Sequence, residues 1–424
     1  MPTILDTLKA RGLYEDQTSP GLDAALQQPT TVYAGFDPSS ESLQAGNFVA
    51  IMVLAHFQRA GHRVIALAGG ATGLIGDPSG KTDERQLLTE EQVEKNLAGI
   101  QENLSRFLDF NHPTAPAKLV NNYDWFKGVT FISFLREIGK HFRMAQMLGR
   151  ESVKKRMAAD DGMSFTEFCY QMLQAYDFLW LHDHEGCRLQ VGGSDQWGNI
   201  TAGTELIRRL RGVEAYGLTN PLICDSAGRK FGKSEGNAVF LDHRMTSYYD
   251  FYQFFLRTAD ADAARYLRIF TFLPLDRIAQ LEEQVRLAPE KREAQRVLAE
   301  EVTRHVHGAQ GLSVAQRASE VLFGGALEGL SLDDLLAIFA NVPSAELPRA
   351  SAIGKPVFEV AAAAGLFGSK GEARRLVQQG GLYLNNQRVA DVGRVVGDGD
   401  LIEGRLVVLR AGRKNFHLVK IEQE

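Results

Sequence analysis

Apolar and polar positions change their period along this chain, and the changes divide it into regions. Thr31 to Phe36 reads as a short buried strand. From Asn47 to Ala60 the apolar residues return at helical spacing, and Gly61 supplies the stop. Arg63 to Ala68 is again strand-like, and Gly69 to Gly80 is a loop with five glycines. Alternation of this kind predicts a parallel sheet with crossover helices, an α/β fold of the Rossmann-like type. The pattern resumes with a strand at Arg188–Val191, a turn at Gly192-Gly193 and a helix from Asp195 to Leu210. A strand-like Leu222 to Cys224 follows, and an insertion at roughly 119–186 separates the two halves.

Beyond Ser247 the strand signals disappear until about Asn341, and Arg277 to His307 is a long run of helix formers. Pro343 to Pro356 holds three prolines and little periodicity, which predicts a linker. The last segment places a helix at Ser369–Gln379 before short β-patterned runs such as Gly381–Leu384 and Leu406–Leu409. The expected organisation is an α/β domain over 1–246, a helical domain over 247–342, a linker over 343–355 and a small α+β domain over 356–424.

Composition adds limits. The chain has 424 residues, 44% hydrophobic and 23% charged, enough for several packed domains. No apolar run reaches transmembrane length, so no membrane partner is expected. The first sixteen residues mix charges with leucine and lack the apolar core of a secretory signal. Cys169, Cys187 and Cys224 have no metal spacing and favour reduced thiols, which points to a cytoplasmic protein. The net charge of −5 argues against indiscriminate nucleic-acid binding. Residues 355–424, however, carry 11 Lys and Arg against 8 Asp and Glu. A basic tail on an acidic body points to an anionic partner for the tail.

The candidate chemistry centres on Lys230-Phe231-Gly232-Lys233-Ser234. Two lysines three apart on a glycine-flanked loop can close over a triphosphate. Alone, such a loop is more often plain solvated surface. A matching half lies far upstream: Tyr33-Ala34-Gly35-Phe36-Asp37-Pro38-Ser39, then Leu43-Gln44-Ala45-Gly46-Asn47. Gln44 to Asn47 stands where a loop feeds a helix N-terminus, whose free N–H groups and positive dipole end suit phosphate.

Together these segments resemble the two signature motifs of class I aminoacyl-tRNA synthetases. Along its whole length the chain resembles the bacterial tyrosyl-tRNA synthetases. The strings that carry the resemblance are Gly-Phe-Asp-Pro at 35–38, Gly-Gly-Ala-Thr-Gly-Leu-Ile-Gly-Asp-Pro at 69–78, Asn-Asn-Tyr-Asp-Trp at 121–125, Ser-Phe-Thr-Glu-Phe at 164–168, Gly-Gly-Ser-Asp-Gln-Trp-Gly-Asn at 192–199 and the lysine pentad. One departure stands out. The family's His-x-Gly-His tetrad is Gln44-Ala45-Gly46-Asn47 here. Both amides are neutral donors. Losing one transition-state donor costs ~2.7–4 kcal/mol, and an amide that still donates costs less.

The resemblance implies an ATP-dependent tyrosine–tRNA ligase. Its tyrosine pocket would comprise Tyr33 and Asp177 at the substrate hydroxyl, Asp77, Tyr170 and Gln174 at the ammonium group, and Gln196 and Asn122 in support. A site built to bond a hydroxyl rejects the analogue that lacks it, a rule usually illustrated with this same family. ATP would lie against Gly35, Asp37, Ser39, Gly46, Gly193 and Asp195. Gln44, Asn47, Lys230, Lys233 and Ser234 would serve the reacting phosphates, joined by Lys81 and Arg85. Magnesium would arrive with ATP, and no protein metal site is visible. Ser369-Lys370-Gly371-Glu372-Ala373-Arg374-Arg375 resembles the start of an S-four-like RNA-binding module. Asn385, Arg388, Arg410, Arg413 and Lys414 would add tRNA donors to its face. Lys154-Lys155-Arg156 and Arg208-Arg209 are candidate acceptor-stem contacts. The family implies a homodimer. The rival readings are the tryptophan enzyme of the same fold, a synthetase descendant that only binds RNA, and a paralogue that delivers activated tyrosine to another acceptor. Asp177, the lysine pentad and the basic tail weigh against them in turn.

Overall fold

The computed structural model describes residues 2–79, 88–158, 162–234, 237–322, 324, 325, 327, 332–339, 342–412 and 415–422. The chain forms two compact units, one of residues 1–246 with 254–306, the other of 247–253 with 307–424.

The first unit is built on six strands: β1 (Asp16–Gln17), β2 (Thr31–Phe36), β3 (Arg63–Ala68), β4 (Lys118–Asn121), β5 (Cys187–Gly193) and β6 (Tyr216–Asn220). Their order is β1-β6-β5-β2-β3-β4, parallel throughout except for β1 against β6. β2 and β3 are almost wholly buried, as continuous apolar strands between helix layers must be. The helix Phe48–Arg59 that joins them is apolar nearly all round and is buried to match. Gly61, at φ 88°, then turns the chain into β3.

Two sequence expectations shift here. The last parallel strand is Tyr216–Asn220, ahead of the expected Leu222–Cys224, where only a single bridge from Cys224 to Lys230 forms. Pro221 has no N–H to donate and closes the strand at Asn220. Gly192 and Gly193 end β5 as strand residues, paired with Thr219 and Asn220, where a turn was expected.

Within the insertion, Phe165–Glu185 is the longest helix. Ser164 Oγ accepts from the Glu167 N–H (3.2 Å), and the Glu167 carboxylate accepts from the Ser164 N–H (3.1 Å). This reciprocal cap fixes where the helix begins. Gly186, left-handed at φ 62°, ends it.

The second unit holds a five-stranded sheet. Its order is Gln387–Arg388, Leu382–Leu384, Leu406–Ala411, Asn415–Ile421, Ser344–Leu347. The segment expected to be a linker therefore contributes an edge strand, parallel to Asn415–Ile421. Alternate residues of the central strands enter two different cores. Val407, Leu409, Val419 and Ile421 pack with the helices Val357–Ala363 and Lys370–Gln378. Leu406, Val408, Phe416 and Leu418 pack with Ala318, Val321, Leu335 and Phe339. The sheet is thus covered on both faces, by residues from before and after position 343.

Candidate active site

A cavity of about 360 Å³ opens at the carboxyl ends of β2, β3, β5 and β6. Ligands of parallel α/β sheets bind at these ends, because strand ends and helix starts leave backbone groups free there.

At its closed end stand Tyr33, on β2, and Asp177, on the helix Phe165–Glu185. Tyr33 is 1% exposed and its hydroxyl has no hydrogen-bond partner. Burial, then the charge of Asp177, pushes its phenol well above the ordinary value, so it stays an O–H donor. Asp177 is 2% exposed. Its carboxylate accepts from Asn122 Nδ2 (3.0 Å) and Trp125 Nε1 (2.9 Å). Asn122 is itself fixed, accepting from the Ala71 N–H (2.7 Å) and reaching Thr72 Oγ1 (3.0 Å). Burial pushes the Asp177 carboxyl up to about 8, against the pull of its two donors.

Midway along the cavity, Asp77 accepts from Gln196 Nε2 (2.7 Å) and the Ser79 N–H (3.0 Å). Asn199 Nδ2 lies within bonding reach of Gln174 Oε1 and Gln196 Oε1 (both 3.1 Å) and of Ser79 Oγ (3.3 Å). Tyr170 donates to the Asp37 carboxylate (3.1 Å). Tyr170, Gln174 and Asp177 come from one helix at spacings of four and three, so one face delivers all of them. Asp37, Asp77, Asp177 and Asp195 all line the space, while Lys230 is the one cation among its described lining residues. With Asp177 keeping its proton near neutral pH, it is Asp37, Asp77 and Asp195 that suit the cavity to a cationic group. Burial, then Asp77, pushes the Asp195 carboxyl up, while Lys230 opposes the shift.

The open end is bordered by Ser39, Gly46, Asn47 and Lys230. The Gln44 N–H donates to Asn47 Oδ1 (3.1 Å), which assigns the amide oxygen to that bond and leaves Asn47 Nδ2 as a donor. Gln44 itself does not line the cavity; it bridges to Phe240. The lysine loop runs directly against this turn. Ala45 N–H donates to Val239 O (2.7 Å), and a Cβ on Gly232, at φ 94°, would stand 2.7 Å from Gly46 N. Only glycine allows that approach.

Residues 25–324 match the family model of class I tRNA synthetases for W and Y, and residues 334–419 match the tyrosine–tRNA ligase SYY-like C-terminal domain. A tyrosine–tRNA ligase of Roseiflexus castenholzii is 50% identical over 99% of this chain and 100% of its own length. This chain belongs to the class I tyrosine–tRNA ligase family. A second relative, the tyrosine–tRNA ligase of Protochlamydia amoebophila, is 48% identical over the full length of both chains. The crystal structure of a C-terminally truncated Aspergillus nidulans mitochondrial tyrosyl-tRNA synthetase matches with a TM-score of 0.68 and 32% identity, covering 76% of this chain and 95% of that one.

The other expected positions of a tyrosine–tRNA ligase divide. Lys81 and Arg85 lie outside the described residues. Lys233 and Ser234 form a short strand paired with Asn237–Ala238, and their side chains are outside the described ones. Lys154 is exposed on the helix Glu151–Met157, and the Lys155 side chain is again outside the described ones. Arg156 is not available to RNA: it is 2% exposed and bonds the Glu167 carboxylate (3.0 and 3.2 Å). Arg208 and Arg209 both bond Glu205 (2.8 and 2.6 Å), holding its carboxyl down at about 2. Arg374 and Arg375 are exposed on the helix Lys370–Gln378, while Lys370 pairs with Glu359 (2.7 Å). Arg388 is exposed. Arg410 was expected among the exposed donors, yet it is buried, its guanidinium 3.8 Å from the centroid of the Tyr383 ring. Asn385 is spent on the backbone of Asp400 and Val408. Arg413 and Lys414 lie outside the described residues.

Trp125, Thr72 and Asn199 are contacts that the sequence reading left without a role. Asn199 could have been found, because it follows Gln196 by one helical turn in a string already singled out. Among the described residues no cluster of three or more His, Cys, Asp or Glu is placed to hold a metal, and no helix is long and apolar enough to cross a membrane.

Proposed function

We propose that this chain activates L-tyrosine with ATP, releasing pyrophosphate, and passes the tyrosyl group to the 3′ end of tRNA(Tyr). The observation that carries this reading is the closed end of the cavity. A buried Tyr33 hydroxyl without a partner stands there with a buried Asp177 carboxyl held by two donors. A phenol serves both, its oxygen accepting from Tyr33 and its hydrogen going to Asp177. Phenylalanine would leave the two groups unpaired. The ammonium group then meets Asp77, Tyr170 and Gln174, and the substrate carboxylate faces the nucleotide end.

ATP enters as its magnesium complex, against Gly35, Asp37, Ser39, Gly193 and Asp195. A tyrosine carboxylate oxygen attacks the α-phosphorus in line. The bond to the bridging oxygen breaks, and pyrophosphate leaves with the electron pair. No side chain needs to abstract a proton, because the carboxylate is already a nucleophile. Catalysis is positioning plus charge stabilisation, supplied by Asn47 Nδ2, Lys230, Lys233, Ser234, Lys81 and Arg85. Lys370, Arg374, Arg375 and Arg388 meet tRNA phosphates.

The enzyme works in the cytoplasm as a homodimer. The second part is supported by apolar side chains left exposed within residues 131–165: Phe131 (63%), Ile132 (70%), Met144, Met157 and Phe165 (65%). The test is tyrosine-dependent ATP–pyrophosphate exchange followed by tRNA charging. Exchange with tyrosine, and none with tryptophan or phenylalanine at like concentration, is expected. Tryptophan activation, or no exchange at all, overturns the reading.

A further inference from the structure

The two phosphate-handling segments share one aromatic stack. Phe48 follows Asn47, and Phe231 follows Lys230. Phe270, on the helix Asp260–Phe270, stacks with both: its ring is 5.2 Å from Phe48 at an interplanar angle of 25°, and 4.6 Å from Phe231 at 20°. Phe231 is further boxed by Phe254 (5.3 Å), Phe255 (6.0 Å) and Tyr266 (5.0 Å). Phe48, Phe255 and Phe270 are buried to 1% exposure or less. Stacked and edge-on pairs of this kind are worth more than their buried area alone and have defined geometry. On the backbone side, the Phe231 N–H donates to Ile223 O and the Val239 N–H to Gly232 O, both at 2.9 Å.

We infer that Phe231 and Phe270 are positioning residues for adenylate formation. Phe231 plugs the lysine loop into a fixed aromatic socket, and Phe270 sets the spacing between that loop and the Asn47 turn. Phe231 borders the cavity beside Lys230, yet neither ring is assigned to the substrates; each acts through Lys230 and Asn47. The inference rests on the tyrosine-activation reading for its kinetic part. Lys230 is thereby tethered beside the Asn47 turn, so less of the loop remains to be ordered in the transition state.

The test uses the full chain and its Phe231→Ala, Phe231→Met and Phe270→Leu variants, with Phe57→Leu as a control. Phe57 is a fully buried ring on the helix Phe48–Arg59 whose ring contact is with His62. Pre-steady-state adenylate formation is measured beside equilibrium tyrosine binding. Phe231→Ala and Phe270→Leu are expected to slow adenylate formation about tenfold to hundredfold, the scale for a misplaced catalytic group, with tyrosine affinity unchanged. Phe231→Met, which refills the socket with a flexible apolar chain, is expected to recover most of the rate. Phe57→Leu is expected to lower thermal stability without a selective loss of rate. Hydrogen exchange at the Phe231 and Val239 amides, with no substrate present, reads the anchoring directly. Faster exchange in Phe231→Ala and Phe270→Leu than in the parent supports the inference even if the parent activates no tyrosine, an outcome that would sink the functional reading alone. Unchanged exchange, or equal losses of rate and tyrosine affinity in all four variants, overturns it.

Discussion

Asp177 combines two demands that pull apart. Its carboxyl is buried, which favours the proton, and it accepts from Asn122 and Trp125, which favours the charge. Burial wins, and the carboxyl rises from 3.8 to about 8. The sign for stability follows. Between those values the folded protein holds a proton that the unfolded chain has lost, so stability falls as pH rises from about 4 to about 8. Asp177→Asn removes that slope. Urea midpoints at pH 5 and pH 8 should show the parent losing more stability than the variant; equal losses would place the shift elsewhere. At the other end of the cavity, Asn47 lines the space with its oxygen engaged, which leaves Nδ2 as its donor, whereas Gln44 does not line the space. Asn47→Ala should therefore slow adenylate formation by about 100-fold, as loss of one transition-state donor does, with tyrosine affinity kept. Gln44→Ala should cost clearly less. Equal rates for parent and Asn47→Ala, in stopped flow, would end the donor role.

The helix Phe165–Glu185 shows how one element carries specificity. Glu167 caps its start and also bonds buried Arg156. Ser164→Ala removes one cap bond and should cost about 1 kcal/mol. Glu167→Gln takes the carboxylate from a buried guanidinium and should cost roughly 3–5 kcal/mol. Denaturant unfolding of the two variants checks the order, which reverses if the cap dominates. Elements of this kind were legible in the sequence because local signals define them: Ser164 and Glu167 three apart, Gly186 at the end, and apolar runs for β2 and β3. The strand Tyr216–Asn220 was not, since glycine, threonine and asparagine blur its pattern and only Pro221 marks its end. Ser344–Leu347 was hidden for a different reason. Its Ser-Ala-Glu-Leu has weak strand preference, and it is held by a partner at residues 418–421 that no local window sees. Arg410 was read from charge alone. Alternation along Leu406–Ala411 would have placed it on the same face as Leu406 and Val408, which is covered.

For the whole chain, a linker at 343–355 would make the residues after it a tail that detaches cleanly. The two-faced sheet says otherwise. A chain ending at residue 341 keeps Ala318, Val321, Leu335 and Phe339 but loses Leu406, Val408, Phe416 and Leu418, which cover them. Such a chain should still carry out tyrosine-dependent exchange, lose most tRNA charging, and self-associate through the uncovered face. Sedimentation beside charging assays checks this; a monodisperse fragment that charges tRNA as well as the parent would remove both the packing argument and the tail's role. The cavity itself was legible in outline, because its residues sit in recognisable strings. Which of them touch was not, because Asn122, Asp177 and Thr72 meet only after folding.

β2 and β5 are neighbours in the sheet, yet Tyr33 pairs with Gln190 across more than a third of the chain. Tyr33 and Asp177 therefore converge only once that long loop has closed, and loop closure of this size is paid late in folding. A chain in which that loop is still open lacks a complete hydroxyl site. Tyrosine should then act on one side of the kinetics alone. It should slow unfolding, by up to the ~2.7 kcal/mol expected at a hundredfold excess over Kd, and leave the refolding rate where it was. In a cell short of tyrosine, the same coupling would make this enzyme's lifetime a readout of its own substrate.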